Sequence, residues 1–391
     1  MRWVTMAVAL AFCAPMAGAA ERPPPLPDMF MDVFEAAEKV SDRSKPWFQS
    51  RQQLAMVGRD DLIVDLLYSP TARPTCEPLK RSGEIVDPLS EIVARAKTSG
   101  RIVMLNEAHD DAQTRLLIIR VMQPLRDLGF SVYAAETFMR SVGSRSPKWP
   151  LLTDGFYSYE PAFGELLRLA RRLDFEFVPY EADEPRKASS DDVAARIAER
   201  ETSQTRNIME RIVAPKPGAE ILIHVGHHHL IEQPVKNSLG GETRWMASRL
   251  KEASGIDPLT VDQTTFQSPI DQPVICALNS DVEKRRALAV DLTVALPKPK
   301  ISNGRPIWRR SMGQWDVTIP NRLLSTKVWS IVEARYASEP ADAVPADRLL
   351  LAPGEKLPLV LKPGTYRIEA WTRESGWSEP IEIPVIGIDR R

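Results

Sequence analysis

One stretch, residues 101–136, constrains the fold more than any other: RIVMLNEAHDDAQTRLLIIRVMQPLRDLGFSVYAAE. An apolar run over 102–105 leads into an acidic loop that carries Glu107. An amphipathic segment follows, and a second apolar run over 132–135 ends at Glu136. This order predicts a strand, a helix and a second strand, with an acid where each strand ends. Ligands of open parallel sheets bind outside the carboxyl ends of the strands. The stretch therefore predicts a βαβ unit with a functional edge.

Residues 86–297 continue this alternation and predict an α/β domain, with a mostly parallel sheet flanked by helices. Helices are predicted over 87–97, 112–128, 161–173, 191–213 and 243–252, with Ser190 as a helix N-cap. Strands are predicted over 102–105, 132–135, 175–180, 221–225, 258–262 and 289–296.

The alternating strand and helix pattern ends on both sides of this region. Residues 21–85 predict an N-terminal lead-in with short helices. Residues 298–391 predict a small C-terminal all-β domain, an immunoglobulin-like sandwich. Its short β-type runs cover 315–319, 327–336, 359–361, 365–371 and 381–385.

Residues 1–20 have the pattern of a secretory signal peptide. Arg2 precedes an apolar stretch, and small residues close it before residue 21. Cys13 would allow a lipid anchor, but the bulky Phe12 before it fits a lipoprotein cleavage site poorly. The segment predicts a secreted or periplasmic protein. No later stretch is apolar enough for a membrane span.

The net charge indicates which binding partners to expect, and the cysteines indicate which disulfide could form. The formal net charge is −1 at pH 7, which gives no sign of a nucleic-acid partner. Removal of the signal peptide leaves Cys76 and Cys276. In an oxidising compartment they either form one disulfide or remain two separate buried thiols.

The five histidines lie in two short stretches, each beside an apolar run. His109 follows the first predicted strand, and the other four lie within or just after the strand over 221–225. Acids and histidines follow four successive predicted strands. These residues are Glu107 and His109, then Glu136, then Glu181, and finally the histidines at 227–229. A carboxylate beside a histidine is the arrangement of a general base. The same residue types bind Zn²⁺, Mn²⁺ or Fe²⁺.

On an extended backbone, the three consecutive histidines at 227–229 cannot all point toward one site. His227 and His229 would face one way and His228 the other. His224, inside the apolar run, is interpreted as a core histidine.

The helix over 191–213 adds a polar stripe. Arg200, Gln204 and Asn207 fall on one face, with Glu201 beside them. This stripe is either a solvated surface or the wall of a cleft. In a cleft, Arg200 would bind an anionic or carbonyl oxygen and Glu201 would hold it or share acid–base work.

Three sets of residues resemble the erythromycin esterase-like proteins and the wider grouping with ChaN-type haem-binding and Tiki (TraB) proteins. The first is Asn-Glu-Ala-His-Asp at 106–110, and the second is Ala-Ala-Glu at 134–136. The third is Gly-His-His-His-Leu at 226–230, which maps the last motif histidine onto His229; Arg200-Glu201 also resembles an Arg-Glu element of the esterase-like members. The resemblance covers about residues 86–265. It departs from the family at Asn106, where the family has glycine.

The resemblance implies an α/β fold with the motif residues in one cleft, and an activity that is either hydrolysis or haem or metal binding. The first hypothesis is a secreted hydrolase of a small-molecule ester, lactone or amide. Its expected catalytic residues are Glu107, His109, Glu136 and His229, and its expected substrate-binding residues are Tyr180, Glu181, Arg200 and Glu201. No Gly-x-Ser-x-Gly nucleophile elbow is present.

The second hypothesis is a haem- or metal-binding protein without turnover. A divalent metal would use His109, Glu136 and His229. Haem would use a histidine, Tyr157, Tyr159 or Tyr180 as axial ligand.

Overall fold

The computed structural model describes residues 22–24, 26, 30, 32–41, 48–144, 149–181, 193–236 and 242–387. The predicted signal peptide and the predicted N-cap Ser190 lie outside the described residues. Within them, no helix is long and apolar enough to cross a membrane.

The helices begin and end where capping chemistry places them. Asp87 caps α4 by accepting a hydrogen bond from the backbone N–H of Ser90, and Pro88 takes the first helical position. Glu160 caps α7 in the same way through Phe163. The helices are α1 (Val33–Ser41), α2 (Phe48–Met56), α3 (Val64–Leu67), α4 (Pro88–Ser99), α5 (Thr114–Asp127), α6 (Ser141–Ser144), α7 (Pro161–Arg172), α8 (Val193–Ile208), α9 (Met246–Ser254) and α10 (Asp281–Arg286).

A seven-stranded sheet forms the centre of the α/β region, in the order β10-β11-β9-β3-β6-β4-β5. All neighbouring pairs are parallel except β10 with β11. The strands are β3 (Ile102–Glu107), β4 (Val132–Ala135), β5 (Glu176–Phe177), β6 (Ile221–Gly226), β9 (Leu259–Asp262), β10 (Val274–Ile275) and β11 (Leu292–Ala295). The predicted mostly parallel sheet with flanking helices is confirmed.

The central strands are buried on both faces, as parallel strands are. In β3, Val103 and Leu105 pack into one hydrophobic cluster, whereas Ile102 and Met104 pack into the other. This alternation explains why the strand reads as an unbroken apolar run in the sequence.

Some predicted elements differ from the structure. The strand predicted over 175–180 is paired only at β5, because the chain leaves the ladder before Tyr180. The helix predicted over 191–213 is α8 followed by a π-helical segment, Met209–Val213. The edge strand β10 has no counterpart in the prediction.

The region after residue 297 is built from small antiparallel sheets. One has five strands, with β18 central between β15 and the pair β19 and β20. The strands after the central sheet are β12 (Ile301–Ser302), β13 (Arg305–Pro306), β14 (Trp315–Val317), β15 (Ser330–Tyr336), β16 (Asp347–Leu351), β17 (Leu359–Leu361), β18 (Gly364–Thr372), β19 (Gly376–Trp377) and β20 (Ile381–Val385). The two-stranded ribbons earlier in the chain pair β1 (Lys80–Arg81) with β2 (Glu84–Ile85) and β7 (Val235–Lys236) with β8 (Glu242–Thr243). The immunoglobulin-like topology stays a prediction.

The C-terminal sheets pack on the α/β region through buried polar contacts. Arg168 of α7 pairs with Glu339 and donates to the carbonyl of Val344. Arg348 of β16 donates to the carbonyl of Tyr159. Cys76 and Cys276 form a disulfide that joins the lead-in to the chain after β10, which resolves the alternative left open by the sequence.

Candidate active site

The carboxyl ends of three adjacent strands bring the predicted residues together. Glu107, the last residue of β3, lies beside Gly226, the last residue of β6. Glu136 follows β4 and its backbone N–H donates to the carbonyl of His224 in β6. The turn after β6 then carries His229 to the same edge. Glu107, His109, Glu136 and His229 therefore lie in one cluster.

Glu107 is the buried centre of this cluster. Its Oε1 lies 2.8 Å from His109 Nδ1 and accepts from Arg115 Nη2 at 2.8 Å. Its Oε2 lies 2.9 Å from His224 Nε2. Burial raises the pKa of Glu107, but the charges of Arg115 and His224 outweigh it, and the pKa falls well below its usual range. Glu107 is an anion that holds two imidazoles.

His109 is oriented on two sides. Because the Glu107 carboxylate accepts at Nδ1, the neutral imidazole carries its proton there and presents a lone pair at Nε2. Tyr157 stacks on the ring, with centroids 3.8 Å apart and planes 14° apart. His109 Nε2 lies 3.7 Å from Glu136 Oε2. The basic nitrogen thus faces the second acid of the site.

His229 forms a second histidine–glutamate pair. Its Nδ1 lies 2.8 Å from Oε1 of Glu201 in α8, and its Nε2 lies 3.6 Å from Glu136 Oε1. Burial lowers the pKa of His229, but the carboxylates of Glu136 and Glu201 raise it to about 10. At neutral pH, His229 is an imidazolium cation.

Glu136 lies between the two pairs, with one oxygen toward each. Oε2 accepts from the backbone N–H of Gly226 and faces His109. Oε1 accepts from Arg200 Nη2 at 2.6 Å and faces His229. Burial raises the pKa of Glu136, but His229 foremost lowers it well below the usual range. Glu136 is therefore ionised and has a base on one side and cations on the other.

Arg200 forms the outer edge of the site, with 41% of its side chain exposed. It pairs with Glu181 at 3.0 Å as well as with Glu136. Gln204 also donates to Glu181. Asn207 donates to the backbone carbonyls of Tyr180 and Glu181. Gln204 and Asn207 are buried and form the wall of the cleft, so the solvated-surface alternative is excluded for them, whereas Arg200 is partly exposed at the edge.

Two residues of the predicted substrate-binding set have other contacts. Tyr180 is fully buried, and its hydroxyl donates to the carbonyl of His224. It is therefore part of the packing beneath the site and has no surface for a substrate. Glu201 is 1% exposed and contacts His229 Nδ1. Its position suits orientation of that imidazole.

The run of histidines does not follow an extended backbone. The strand ends at Gly226, and His227 has a positive φ of 35°, so the expected alternation of the three side chains is replaced by a turn. His229 is buried, whereas His228 is exposed. His227 lies edge-on to His109, with ring centroids 5.2 Å apart. Burial lowers the pKa of His227 to about 4, so it is neutral at physiological pH.

Gly226 leaves the space on which His109 and Glu136 converge. A Cβ atom at this position would lie 2.3 Å from His109 Nε2 and 2.5 Å from Glu136 Oε2. These distances are far inside van der Waals contact. The close approach of His109 and Glu136 therefore requires glycine at position 226.

Asn106 joins the ends of three strands. Its Nδ2 donates to the carbonyl of His227 at 2.8 Å and to Asp262 Oδ1 at 2.7 Å. Its Oδ1 accepts from the backbone N–H of Gln263 at 2.8 Å. Asn106 thus ties β3 to the chain after β6 and after β9.

A row of buried charges of alternating sign runs from the site into the C-terminal region. Arg115 bridges Glu107 and Glu160, with Nη1 3.1 Å from Glu160 Oε2. Arg309 lies 3.1 Å from Glu160 Oε1 and 3.7 Å from Asp347 Oδ1. Arg305 closes the row with bonds of 2.6 and 2.7 Å to Asp347. The row therefore links Glu107 through buried ion pairs to Arg305, Arg309 and Asp347 of the C-terminal region.

The sequence analysis did not find Arg115, Glu160 or Arg309. Arg115 had a signal, because it is an arginine among the buried apolar residues of α5, where an unpaired charge is costly. Glu160 precedes Pro161 at a helix start, but its side chain could equally have been solvated. Nothing in the sequence near Arg309 points to the site.

Metal and haem do not fit the residues of this cluster. Glu136 accepts from Arg200 and Gly226, so its charge is already paired with a cation. His229 is itself protonated and lies beside the Arg200 guanidinium, so it has no free lone pair for a metal. No group of three or more His, Cys, Asp or Glu in the described ranges is arranged to hold a metal ion. The narrow space lined by Glu107, Glu136 and Tyr157 has no room for a ligand of the size of haem, whereas pockets for drug-sized ligands measure about 300–1,000 Å³.

Comparisons with known proteins assign no family. No protein-family model matches the chain, and no curated protein matches it. Among solved structures, it is similar to a MARTX toxin effector domain, RRSP, from Vibrio vulnificus (14% identity, TM-score 0.33, 67% of this chain and 47% of that one). It is also similar to the type III effector HopBA1 (15%, 0.35, 57% and 99%). The C-terminal region of Pasteurella multocida toxin is a third (9%, 0.34, 86% and 54%). The chain thus spans about half the length of two of these proteins.

Proposed function

We propose that the protein is a hydrolase that activates water against a carbonyl carbon. One observation carries the proposal. His109 is fixed by Glu107 at Nδ1, while its Nε2 faces Glu136 Oε2 at 3.7 Å beside Gly226, whose missing side chain permits this close approach. A tautomer fixed by a buried carboxylate, with the second nitrogen directed at another acid, is the arrangement of a general base.

Glu136 and His109 hold the attacking water in this proposal. Their facing atoms are 3.7 Å apart, so one water molecule beside Gly226 comes within hydrogen-bond reach of both. The water oxygen attacks the carbonyl carbon, and its proton moves to His109 Nε2. Glu107 stabilises the imidazolium that forms.

Arg200 and His229 supply positive charge on the opposite side of Glu136. A carbonyl carbon under attack develops a negative oxygen, which preorganised donors stabilise more than the neutral ground state. The intermediate then collapses as the bond from carbon to the leaving oxygen or nitrogen breaks. The leaving group takes the proton from His109 Nε2, which restores the starting enzyme.

The substrate in this proposal is a small-molecule ester, lactone or amide. The three share a carbonyl carbon, and the resemblance to erythromycin esterase-like proteins supports the class. The pattern over residues 1–20 supports export, and we propose a secreted or periplasmic location. We propose that the sheets after residue 297 form an immunoglobulin-like sandwich. Their antiparallel pairing supports this.

The proposal is tested with purified wild-type protein and His109→Gln on a panel of ester, lactone and amide substrates. Glutamine keeps hydrogen bonding but cannot exchange a proton. We expect a loss of about 10²–10⁴-fold in kcat/KM, the usual worth of positioned acid–base catalysis. His228→Gln is the matched control, since His228 is exposed in the same run and should keep wild-type rates.

Retention of full turnover by His109→Gln, with an unchanged pH profile, would exclude His109 as the base. Absence of turnover on the whole panel by wild-type protein would count against the hydrolase itself. Activity lost only after chelation and restored by one divalent metal would favour the metal-dependent alternative.

A further inference from the structure

One cavity lies away from the histidines, between α5 and the chain on both sides of β12 and β13. It measures about 340 Å³, within the range of about 300–1,000 Å³ typical of small-molecule sites. The proposed hydrolase site is smaller and lies at the ends of β3, β4 and β6. The two spaces are therefore separate features of the fold.

The floor and walls of the cavity are apolar and rigid. Leu117, Leu296 and Trp308 line the floor and are nearly fully buried. Pro297 and Pro299 line one wall, and proline has a fixed φ and no backbone donor. A preformed apolar wall loses little conformational freedom when a ligand binds.

The rim of the cavity carries excess positive charge. Arg120, Lys298 and Lys300 line it, against the single acid Asp271. Lys300 pairs with Asp271, and Lys298 pairs with Asp65, but these side chains are largely exposed. Exposed pairs of this kind contribute little and are readily exchanged. Arg120 contacts Ser311 at 3.4 Å, a neutral partner that leaves its charge uncompensated.

We propose that this cavity binds an amphiphilic monoanion, with an aliphatic or aromatic body on the apolar floor and a carboxylate or sulfonate at Arg120. The apolar lining selects the body, and the charge of the rim selects the head group. A cationic or neutral amphiphile of the same length has no matching head-group contact.

Helix α5 separates the cavity from the hydrolase site. Arg115 lies on the face toward Glu107, whereas Leu116 and Leu117 line the cavity. A ligand can therefore bind here without contacting His109 or Glu136. The cavity is thus an additional site beside the proposed reaction, and its occupancy does not depend on turnover.

The test uses the full chain and anilinonaphthalene sulfonate as a fluorescent probe, displaced by decanoate, decanol or decyltrimethylammonium. We expect saturable probe binding that decanoate displaces at lower concentration than the neutral or cationic compound. Leu116→Trp narrows the cavity and should weaken binding at least about tenfold. Arg120→Gln should weaken it by up to about fivefold, the worth of an exposed ion pair.

Two controls separate this site from the rest of the molecule. Arg322→Gln removes an exposed arginine elsewhere and should leave binding unchanged. His109→Gln should also bind normally, even if hydrolysis is lost. Ser311→Phe narrows the cavity from the opposite wall and should repeat the effect of Leu116→Trp.

Probe binding that is not saturable would overturn the proposal. Wild-type affinity in folded Leu116→Trp and Ser311→Phe would place the probe elsewhere and also overturn it. Equal displacement by all three decyl compounds, with no effect of Arg120→Gln, would overturn the selection for an anion.

Discussion

Glu136 has a role that depends on the different environments of its two oxygens. One oxygen faces His109 Nε2, and the other faces the cations Arg200 and His229. Each histidine is held from behind, by Glu107 or by Glu201. The two histidines therefore have different surroundings: Glu136, Glu201 and Arg200 lie around His229, whereas Glu107 and Tyr157 contact His109.

Gly226→Ala tests the close approach of His109 and Glu136 to residue 226 without changing any charge. The added Cβ would fill the position shared by His109 Nε2 and Glu136 Oε2. We expect a loss of at least about 100-fold in kcat/KM, since small misplacements of reacting groups have effects of this size. The melting temperature and hydrolysis rate are measured side by side. Gly218→Ala is the matched control, because nothing lies within 4 Å of its added Cβ. Wild-type hydrolysis by Gly226→Ala would place the nucleophile elsewhere.

The sequence predicts which residues meet but not all of their partners. Glu107, His109, Glu136 and His229 follow parallel strands, and the carboxyl ends of such strands share one edge, so their convergence is a consequence of topology. Glu201 is predicted to bind substrate, to hold Arg200 or to share acid–base work. Its contact with His229 depends on the rotation of α8 about its axis, which tertiary packing determines.

Strand β3 shows how one element positions the site. Its buried end carries Glu107, and the preceding Asn106 binds the chain after β6 and after β9. These bonds tie the strand ends against independent movement. The unusual φ of His227 is held in the same way, because its N–H donates to Glu107 O and its carbonyl accepts from Asn106.

Asn106→Ala should lower the free energy of unfolding and reduce hydrolysis together. The change leaves the N–H of Gln263 without its acceptor and the carbonyl of His227 without its side-chain donor. Each orphaned buried group costs about 1–3 kcal/mol. Asn106→Asp should be worse at neutral pH, because it places a carboxylate against buried Asp262. Urea unfolding measures both variants. Equal stability of Asn106→Asp and wild type would show that the network is unimportant.

Apolar periodicity predicts the central elements well and the peripheral ones less well. The bounds of β4 agree fully with the run over 132–135, since both faces of that strand are buried. The strand β16 is absent from the prediction although all its residues are buried. It contains Asp347 and Arg348, whose burial depends on Arg305 and Glu333 far away in the sequence. The local sequence pattern does not show that a buried charge is paired with a residue elsewhere in the chain.

At the scale of the whole molecule, the C-terminal region contributes to the order of the site. Arg309 contacts Glu160, which contacts Arg115, which contacts Glu107. All of these side chains are at most 2% exposed. The screening that weakens surface ion pairs is therefore absent along this path.

Arg309→Gln should disturb His109 although the two residues do not touch. Removal of one partner of a buried ion pair typically costs about 3–5 kcal/mol, and the released Glu160 loosens Arg115 and Glu107. We expect a changed Nδ1–H resonance of His109 in NMR spectra, which contain only five histidines to assign. Arg310→Gln is the control, because Arg310 pairs with Asp316 near the surface. An unchanged His109 resonance and unchanged hydrolysis in folded Arg309→Gln would refute the link.

Asp60 makes stability depend on pH near this row. Burial raises the pKa of Asp60 to about 6, against the lowering effect of Arg309 and Arg305. The folded state therefore binds this proton more tightly than the unfolded chain, whose value is 3.8. The ionised form destabilises the fold above pH 6, and this penalty disappears as pH falls from 6 through 3.8.

Asp60→Asn should consequently stabilise the protein at pH 7.5 by an amount on the order of 3 kcal/mol. The gain should shrink as pH is lowered below 6, as measured by urea unfolding of both proteins at each pH. Asp65→Asn, at an exposed position, should show no such trend. A gain that is constant with pH, or a loss at pH 7.5, would contradict the proposed titration.

The row of buried ion pairs also restricts which substitutions the sequence can accept during evolution. Arg305 and Asp347 are both fully buried and bind each other through two short contacts. A mutation at one position leaves the other charge buried without its partner. A change of both residues must therefore pass through a destabilised single mutant. A pair of apolar residues of similar volume can be as stable as such an ion pair. Among descendants of this gene, these two positions should therefore covary: both stay charged, or both become apolar in the same lineage.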